Sequence, residues 1–221
     1  MRAQSPSLLF KPKLRGASHH AAFYVVLGAG PTLVASTGTR LAALAATIYA
    51  CCMAALFGIS ALYHCPNWSP AIRQRLRKLD HAAIYLMIAG TYTPIGLLGV
   101  GGAAGEAMVR WMWLGAALGI LKSILWVNAP KALNATLYLM LGWFGVALLP
   151  EVASRYGALN VGLLIAGGVA YSIGALVYAL QRPDPIPLTF GYHEIFHGFV
   201  VLASLLHFLA IWQILPHAPW G

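Results

Sequence analysis

Two histidines one helical turn apart lie at the start of a long apolar run near the end of the chain. They are His193 and His197, and the residues from Gly191 to Phe199 read GYHEIFHGF, which contains the H-E-x-x-H spacing of a zinc-binding helix. Residues four apart face the same side of an α-helix, so both imidazoles can hold one ion. Glu194 points about 100° away from His193. The pattern is open to three interpretations: a metalloprotease, another zinc enzyme, or two packed histidines.

Further polar residues lie at the ends of two other apolar runs. Ser60 and His64 are one turn apart near the end of the second run, and Asp80 is at the start of the third. His64 would complete a set of three imidazoles with His193 and His197, which is the ligand set of a catalytic zinc with a water in its fourth position. Asp80 is then expected to orient that water and accept its proton. Ser60 is expected to donate a hydrogen bond to the carbonyl under attack.

The rest of the chain is a series of apolar segments. Of its 221 residues 60% are hydrophobic and 9% are charged, whereas soluble domains contain about 25% charged residues. Each apolar segment is long enough to cross a hydrocarbon core of about 30 Å as a helix. We predict seven transmembrane helices, at 19–36, 41–64, 79–99, 108–127, 131–149, 158–180 and 190–214. They form one all-α domain at 19–221 after a short basic segment at 1–18, and we expect the first helix to be a retained span rather than a cleaved signal peptide.

Basic residues are concentrated on one side of the predicted membrane domain, and the formal net charge is +9. With the N-terminus in the cytoplasm, only Arg40, Arg110 and Arg155 of the 14 lysines and arginines lie on the outer side. This bias predicts a cytoplasmic N-terminus and an external C-terminus. The basic excess then sets orientation and contacts anionic lipid headgroups, so nucleic acid is not an expected partner. The same topology brings the three histidines and Asp80 to the cytoplasmic face.

Three motifs, at 60–65, 79–94 and 191–197, carry a resemblance to a known membrane family. They read SALYHC, LDHAAIYLMIAGTYTP and GYHEIFH, and they lie on predicted spans two, three and seven. In these residues and in their order, the chain resembles the haemolysin III branch of the progestin and adipoQ receptor family. The seven-span pattern extends this resemblance over nearly the whole chain.

The resemblance implies a zinc site in which His64, His193 and His197 are the ligands. Asp80 matches the carboxylate that hydrogen-bonds the zinc-bound water, and Ser60 matches the family's serine four residues before the first ligand. The wider superfamily includes alkaline ceramidases, which suggests hydrolysis of a lipid amide or ester, with a membrane lipid or fatty-acyl chain in the bundle cavity. The branch name implies pore-forming lysis, and roles in membrane-fluidity homeostasis are also associated with it. A bacterial origin would place the protein in the inner membrane.

Two alternatives to a hydrolase follow from the same residues. One is a non-enzymatic lipid or fluidity sensor in which zinc joins spans two and seven. The other is a pore, although the predicted spans carry no polar stripe of the kind that lines a water-filled channel. A metalloprotease would need a further acidic ligand within another span, whereas Glu106, Glu151 and Asp184 are all in predicted loops.

The remaining candidates are expected to be structural. We expect His207 and His217 to be packing residues, and His19 and His20 to lie at the membrane interface. Glu194 is expected to support the bundle, so that the chemistry depends on Asp80.

Overall fold

The computed structural model describes residues 11–186 and 188–217 of the chain. In this part of the chain the backbone is helical apart from turns and one isolated bridge between Ile186 and Phe190. The α-helices are α1 (Ala17–Ala35), α2 (Arg40–His64), α3 (Pro70–Pro94), α4 (Gly102–Leu125), α5 (Lys131–Trp143), α6 (Leu149–Leu180) and α7 (Tyr192–Ile214). A π-helical turn, Ile95–Val100, follows α3, and 3-10 turns, Phe144–Leu148 and Leu215–His217, follow α5 and α7.

Several predictions fall outside the described residues. Residues 1–10 of the predicted basic segment at 1–18, including Arg2, are among them. So is the side chain of His217. The prediction that the chain has one basic segment and one membrane domain stays a prediction.

Five stretches of the described chain are long and apolar enough to cross a membrane. They are Arg40–His64, Pro70–Val100, Gly102–Leu125, Lys131–Leu180 and Tyr192–Ile214. The chain is therefore a multi-pass, all-helical membrane protein, as predicted. Helix α1 is not in this set, and α5 and α6 fall within a single stretch, so seven crossings and the sidedness of the termini stay predictions.

Two predicted loops are shorter in the structure. The predicted spans 41–64 and 79–99 leave residues 65–78 as a connection, which is wrong for 70–78, because these residues form the first turns of α3 with Pro70 at the first helical position. These turns are amphipathic: Leu76 is buried while Arg73 and Arg75 are exposed. The connection between the predicted spans 79–99 and 108–127 is also shorter than predicted, because the π-helical turn ends at Val100 and α4 begins at Gly102.

The connection between the predicted fifth and sixth spans contains a helical turn that the sequence did not predict. Helix α6 begins at Leu149 and is interrupted at Gly157, whose φ of 79° and ψ of 171° are non-helical. Only glycine adopts this backbone conformation at little cost. The part of α6 after the interruption, residues 158–180, matches the span predicted there.

The helices that carry the candidate site residues are brought together by α1. Helix α1 packs against both α2 and α7, α2 packs against α3, and α6 packs against α7. Small residues permit close approach in two of these pairs, because a Cβ on Gly90 would meet Cys52 and a Cβ on Gly174 would meet Phe199. The end of α2 and the starts of α1, α3 and α7 consequently lie at the same end of the bundle.

A short segment before α1, residues 11–16, crosses this end of the bundle, and we call it the strap. Its main-chain N–H groups at 13 and 14 donate to the carbonyls of Leu188 and Thr189, 3.1 and 3.2 Å away, in the connection between α6 and α7. The strap ends at Gly16, which has a φ of 83°. A Cβ at this position would lie 2.7 Å from the Cβ of His64, so only glycine permits the strap to lie this close to α2.

Candidate metal centre

Three imidazoles from two helices meet beneath the strap. His64 is the last residue of α2, and His193 and His197 lie in the first two turns of α7. The Nε2 atoms of His64 and His193 are 3.2 Å apart, and one candidate ligand atom from each of the three residues lies within 4.8 Å of the other two. The sequence predicted this grouping, and the structure brings the three side chains together.

The spacing of one pair of these imidazoles, His64 and His193, fits a tetrahedral metal ion. Zinc binds imidazole nitrogen at about 2.0–2.1 Å, which places two nitrogens of a tetrahedral site about 3.3 Å apart. The separation of 3.2 Å between His64 and His193 agrees with that value. The Nδ1 atom of His197 is buried and has no hydrogen-bond partner among the described residues, so this ring contains a polar atom that its surroundings leave unsatisfied. A set of three imidazoles is suited to zinc and to other borderline divalent metals.

Asp80, near the middle of α3, lies beside the cluster. Its Oδ2 atom is 3.7 Å from Nε2 of His64, and 14% of its side chain is exposed. This separation is longer than a hydrogen bond, so the carboxylate is adjacent to the imidazoles but does not belong to their group of three. That is a suitable place for a group that acts on a water molecule next to an ion.

Ser60 contacts His19, which was predicted to lie at the membrane interface. His19, in the first turn of α1, is only 3% exposed, and its Nδ1 is 2.8 Å from Oγ of Ser60. Its ring stacks on His197 with centroids 3.8 Å apart and an interplanar angle of 9°. The interfacial prediction is therefore wrong for His19, whereas His20 is exposed. The predicted topology that assigns His64 to the cytoplasmic face also assigns the start of α1 to that face, and this was the available signal.

Glu194 is engaged away from the cluster. Its Oε1 atom accepts a hydrogen bond from Nε of Arg15 at 2.5 Å, and its Oε2 atom accepts one from the main-chain N–H of Gly191 at 2.8 Å. The side chain is 4% exposed. Glu194 thus caps the N-terminus of α7 and fixes the strap to it, which agrees with the prediction that it supports the bundle.

The strap makes a second polar contact at the end of α2. The ammonium of Lys11 donates to the carbonyls of Cys65 and Pro66, at 2.5 and 3.4 Å. Partial burial in this contact lowers the pKa of Lys11 from its ordinary value, because the charged form loses hydration. The strap therefore connects the helix ends that carry His64 and His193 through side chains as well as main chain.

A cavity extends from His19 and His197 into the bundle. His19, Ser60, Asp80 and His197 line its end near the strap, and His207 lines it further along α7. His197 and His207 are ten residues apart, which corresponds to about 15 Å along a helix axis. Most of the wall between these ends is apolar, so the cavity suits a hydrocarbon chain.

The family of the chain follows from comparison with known proteins. The family described as "Haemolysin-III related" matches residues 8–208. The chain belongs to this family. "Hemolysin-3" of Bacillus cereus is 32% identical over 182 residues, covering 82% of this chain and 80% of the relative. The "Hemolysin-3 homolog" of Bacillus subtilis (strain 168) is 34% identical over 166 residues, which cover 75% of this chain and 74% of the relative. Human "Monocyte to macrophage differentiation factor" is 31% identical over 183 residues, which cover 79% of this chain and 71% of the relative.

The resemblance predicted from the three motifs is therefore confirmed. In this haemolysin III-related protein, the three motifs contribute side chains to the same end of the bundle. The first supplies Ser60 and His64 and the second supplies Asp80. The third supplies His193 and His197.

Proposed function

We propose that this haemolysin III-related protein is a zinc-dependent, ceramidase-like hydrolase of a lipid amide or ester, with its site at the cytoplasmic side of the bundle. The observation that carries the proposal is that one apolar cavity ends at Ser60, Asp80 and His197, beside the cluster of three imidazoles. A lipid whose chain occupies the cavity would have its polar end at these residues. The occupant is accordingly a membrane lipid or a fatty-acyl chain.

We also propose seven membrane crossings with a cytoplasmic N-terminus. The stretch Lys131–Leu180 has 50 residues. As one continuous helix it would measure about 75 Å, far more than the hydrocarbon core of about 30 Å, so it supports two crossings. Helix α1 has 19 residues, which is about the length of one crossing. Lysines and arginines at the histidine end, in the strap and at 73–78, support a cytoplasmic site, and a bacterial inner membrane is the location that we propose.

The chain's own residues supply positioning and proton transfer in this reaction. His64, His193 and His197 would hold zinc, which supplies a Lewis acid that polarises a carbonyl and acidifies water. Asp80 accepts a proton from the attacking water and returns it to the leaving amine or alcohol as the bond to the carbonyl carbon breaks. Ser60 donates to the carbonyl oxygen, because His19 can donate its Nδ1–H to Ser60 and leave the serine hydroxyl hydrogen free.

The test compares turnover of long-chain ceramides and acyl esters by purified protein with turnover by Asp80→Asn. We expect the substitution to retain zinc and to lower the rate by at least about 100-fold, the usual contribution of a general base. The matched control is Glu151→Gln, which neutralises an exposed carboxylate in another part of the chain and should keep the wild-type rate. Equal rates for Asp80→Asn and wild type would remove Asp80 from the mechanism. Absence of turnover on every lipid tested would contradict the enzyme itself.

A non-enzymatic sensor is the second candidate, and one observation favours it. The three imidazoles come from α2 and α7, and α1 packs against both of these helices. An ion bound by the imidazoles would therefore link two helices that are far apart in sequence. In that case zinc removal lowers the unfolding temperature, and the Asp80→Asn variant keeps the cellular phenotype. A haemolysin-type pore is the third candidate, which the names of the bacterial relatives suggest, and ion flux through reconstituted liposomes tests it.

A further inference from the structure

A buried nitrogen at the deep end of the cavity has no hydrogen-bond partner in the part of the chain that the structure describes. The Nε2 atom of His207 lies 3.0 Å from the main-chain carbonyl of Leu164, and its Nδ1 atom is buried without a hydrogen-bond partner among the described residues. Since a carbonyl oxygen only accepts, Nε2 carries the hydrogen, and Nδ1 of the neutral ring is an acceptor. An unsatisfied buried acceptor destabilises the fold, so a ligand group that donates a hydrogen bond to it would bind more tightly.

The ring orientation directs this acceptor away from α6. A Cβ on Gly167 would lie 2.3 Å from Cδ2 and 2.4 Å from Nε2 of His207, so this edge of the ring faces α6. The opposite edge carries Nδ1. His207 also lines both the main cavity and a second, adjoining cavity. The residues common to both walls, which we call the neck, are Thr91, Tyr92, Gly142, Trp143, Gly168 and His207.

The side-chain O–H and N–H groups of Thr91, Tyr92 and Trp143 in the neck already donate hydrogen bonds to other partners. The hydroxyls of Thr91 and Tyr92 donate to the carbonyls of Met87 and Gly142, at 2.8 and 2.6 Å. The indole N–H of Trp143 donates to Oγ of Ser172 at 3.0 Å. A partner for His207 must therefore bring its own hydrogen. A carbonyl or carboxylate has none to give, and an ammonium group is too costly at this depth in a membrane.

We propose that the neck binds a hydroxyl group on the acyl chain of the ligand, with Nδ1 of His207 as its acceptor. The inference rests on the proposed function, because it assumes that the polar end of the chain lies at the metal centre. His207 is about 15 Å along α7 from His197, so the hydroxyl is in the middle of the chain and not beside the carboxyl or amide group. The ligand class is a mid-chain hydroxylated fatty acid or its amide.

Binding of three fatty acids to the purified full-length protein tests this selectivity. The probes are stearic acid, a hydroxystearic acid with its hydroxyl about 15 Å from the carboxyl in the extended chain, and a hydroxystearic acid with its hydroxyl next to the carboxyl. We expect the mid-chain hydroxy acid to bind roughly five- to tenfold more tightly than stearic acid, the effect of one buried hydrogen bond. The third acid should show no such gain.

Variants of the neck separate the hydrogen bond from general packing. His207→Phe should abolish the preference, so that this variant binds the mid-chain hydroxy acid and stearic acid with equal affinity. His207→Gln offers an amide donor to Leu164 and an oxygen acceptor to the ligand, so it should keep part of the preference. Tyr171→Phe is the control, since it removes a hydroxyl on the cavity wall that already bonds Ser204 at 2.8 Å, and it should keep the full preference.

The outcomes distinguish this inference from the proposed function. Equal affinity of wild type for stearic and mid-chain hydroxystearic acid would overturn the neck site alone, and would indicate that water satisfies His207. Binding of none of the acids would overturn both proposals, because the cavity would then hold no acyl chain. A hydroxyl preference that depends on His207, without turnover of any lipid, would support the neck site and contradict the hydrolase.

Discussion

Glu194→Gln distinguishes a structural glutamate from the catalytic base that the H-E-x-x-H pattern suggests. Glu194 accepts from Arg15 at 2.5 Å and from the N–H of Gly191 at 2.8 Å, and the side chain is 4% exposed. A glutamine retains one oxygen for the main-chain N–H, but its amide hydrogens face the arginine. A hydrogen bond to a charged group contributes about 1.5–3 kcal/mol, and Arg15 is 22% exposed, so we expect a loss of about 2 kcal/mol.

The assay is thermal unfolding of the purified protein together with its turnover. For a chain of this size about 2 kcal/mol corresponds to a fall of roughly 4–8 °C in the unfolding temperature. Turnover measured below that temperature should change by less than about tenfold. If Glu194 were the catalytic base, the rate would fall by at least about 100-fold at an unchanged unfolding temperature, and that result would refute the structural role.

Two comparisons complete this test. Glu106→Gln is the matched control, because Glu106 pairs with Arg110 at 3.4 Å with both side chains more than half exposed, so its loss should be within about 0.5 kcal/mol. Arg15→Leu should destabilise by about as much as Glu194→Gln. The double variant should lose less than the sum of the two, because both changes remove the same interaction.

Two further predictions concern metal content and packing. His193→Ala should reduce bound zinc, measured by elemental analysis, from about one ion per chain to well below one. His20→Ala, which changes an exposed histidine, should leave the zinc content unchanged. Equal zinc in His193→Ala and wild type would contradict the metal centre. Gly119→Ala should lower stability by about 1–3 kcal/mol, because its Cβ would lie 2.3 Å from the ring of Tyr85. Gly162→Ala, whose Cβ would meet nothing within 4 Å, should leave the unfolding temperature unchanged or raise it slightly, and a fall equal to that of Gly119→Ala would show that the close contact is not the cause.

The apolar segments were predictable because hydropathy depends on composition within one window. The helix ends that differ from prediction depend on side-chain burial and backbone conformation, which hydropathy does not describe. Residues 70–78 are too polar to count as a span, yet they are helical because Leu76 can be buried beneath an exposed basic face. The interruption at Gly157 depends on a positive φ, and glycine in an apolar run is equally compatible with an unbroken helix.

The placement of His64, His193 and His197 at one end of the bundle was predictable, because the predicted topology assigns them the same membrane face. Their lateral contact did not follow from topology, since it depends on how α2 and α7 pack. The burial of His19 was not predicted, since it requires knowing that α1 lies against both α2 and α7. The partner of Glu194 was not predicted either. Arg15 is 179 residues away in sequence, and only the path of the strap brings the two together.

The strap also has a kinetic consequence. It lies over the imidazoles and is held at one side by Lys11 and at the other by Arg15. Local opening of the strap would widen the route between a bound ion and solvent, so a chelator would remove the ion faster from a chain whose strap is weakened. Weakening the strap would then shorten the residence time of the ion far more than it changed the strength of its coordination.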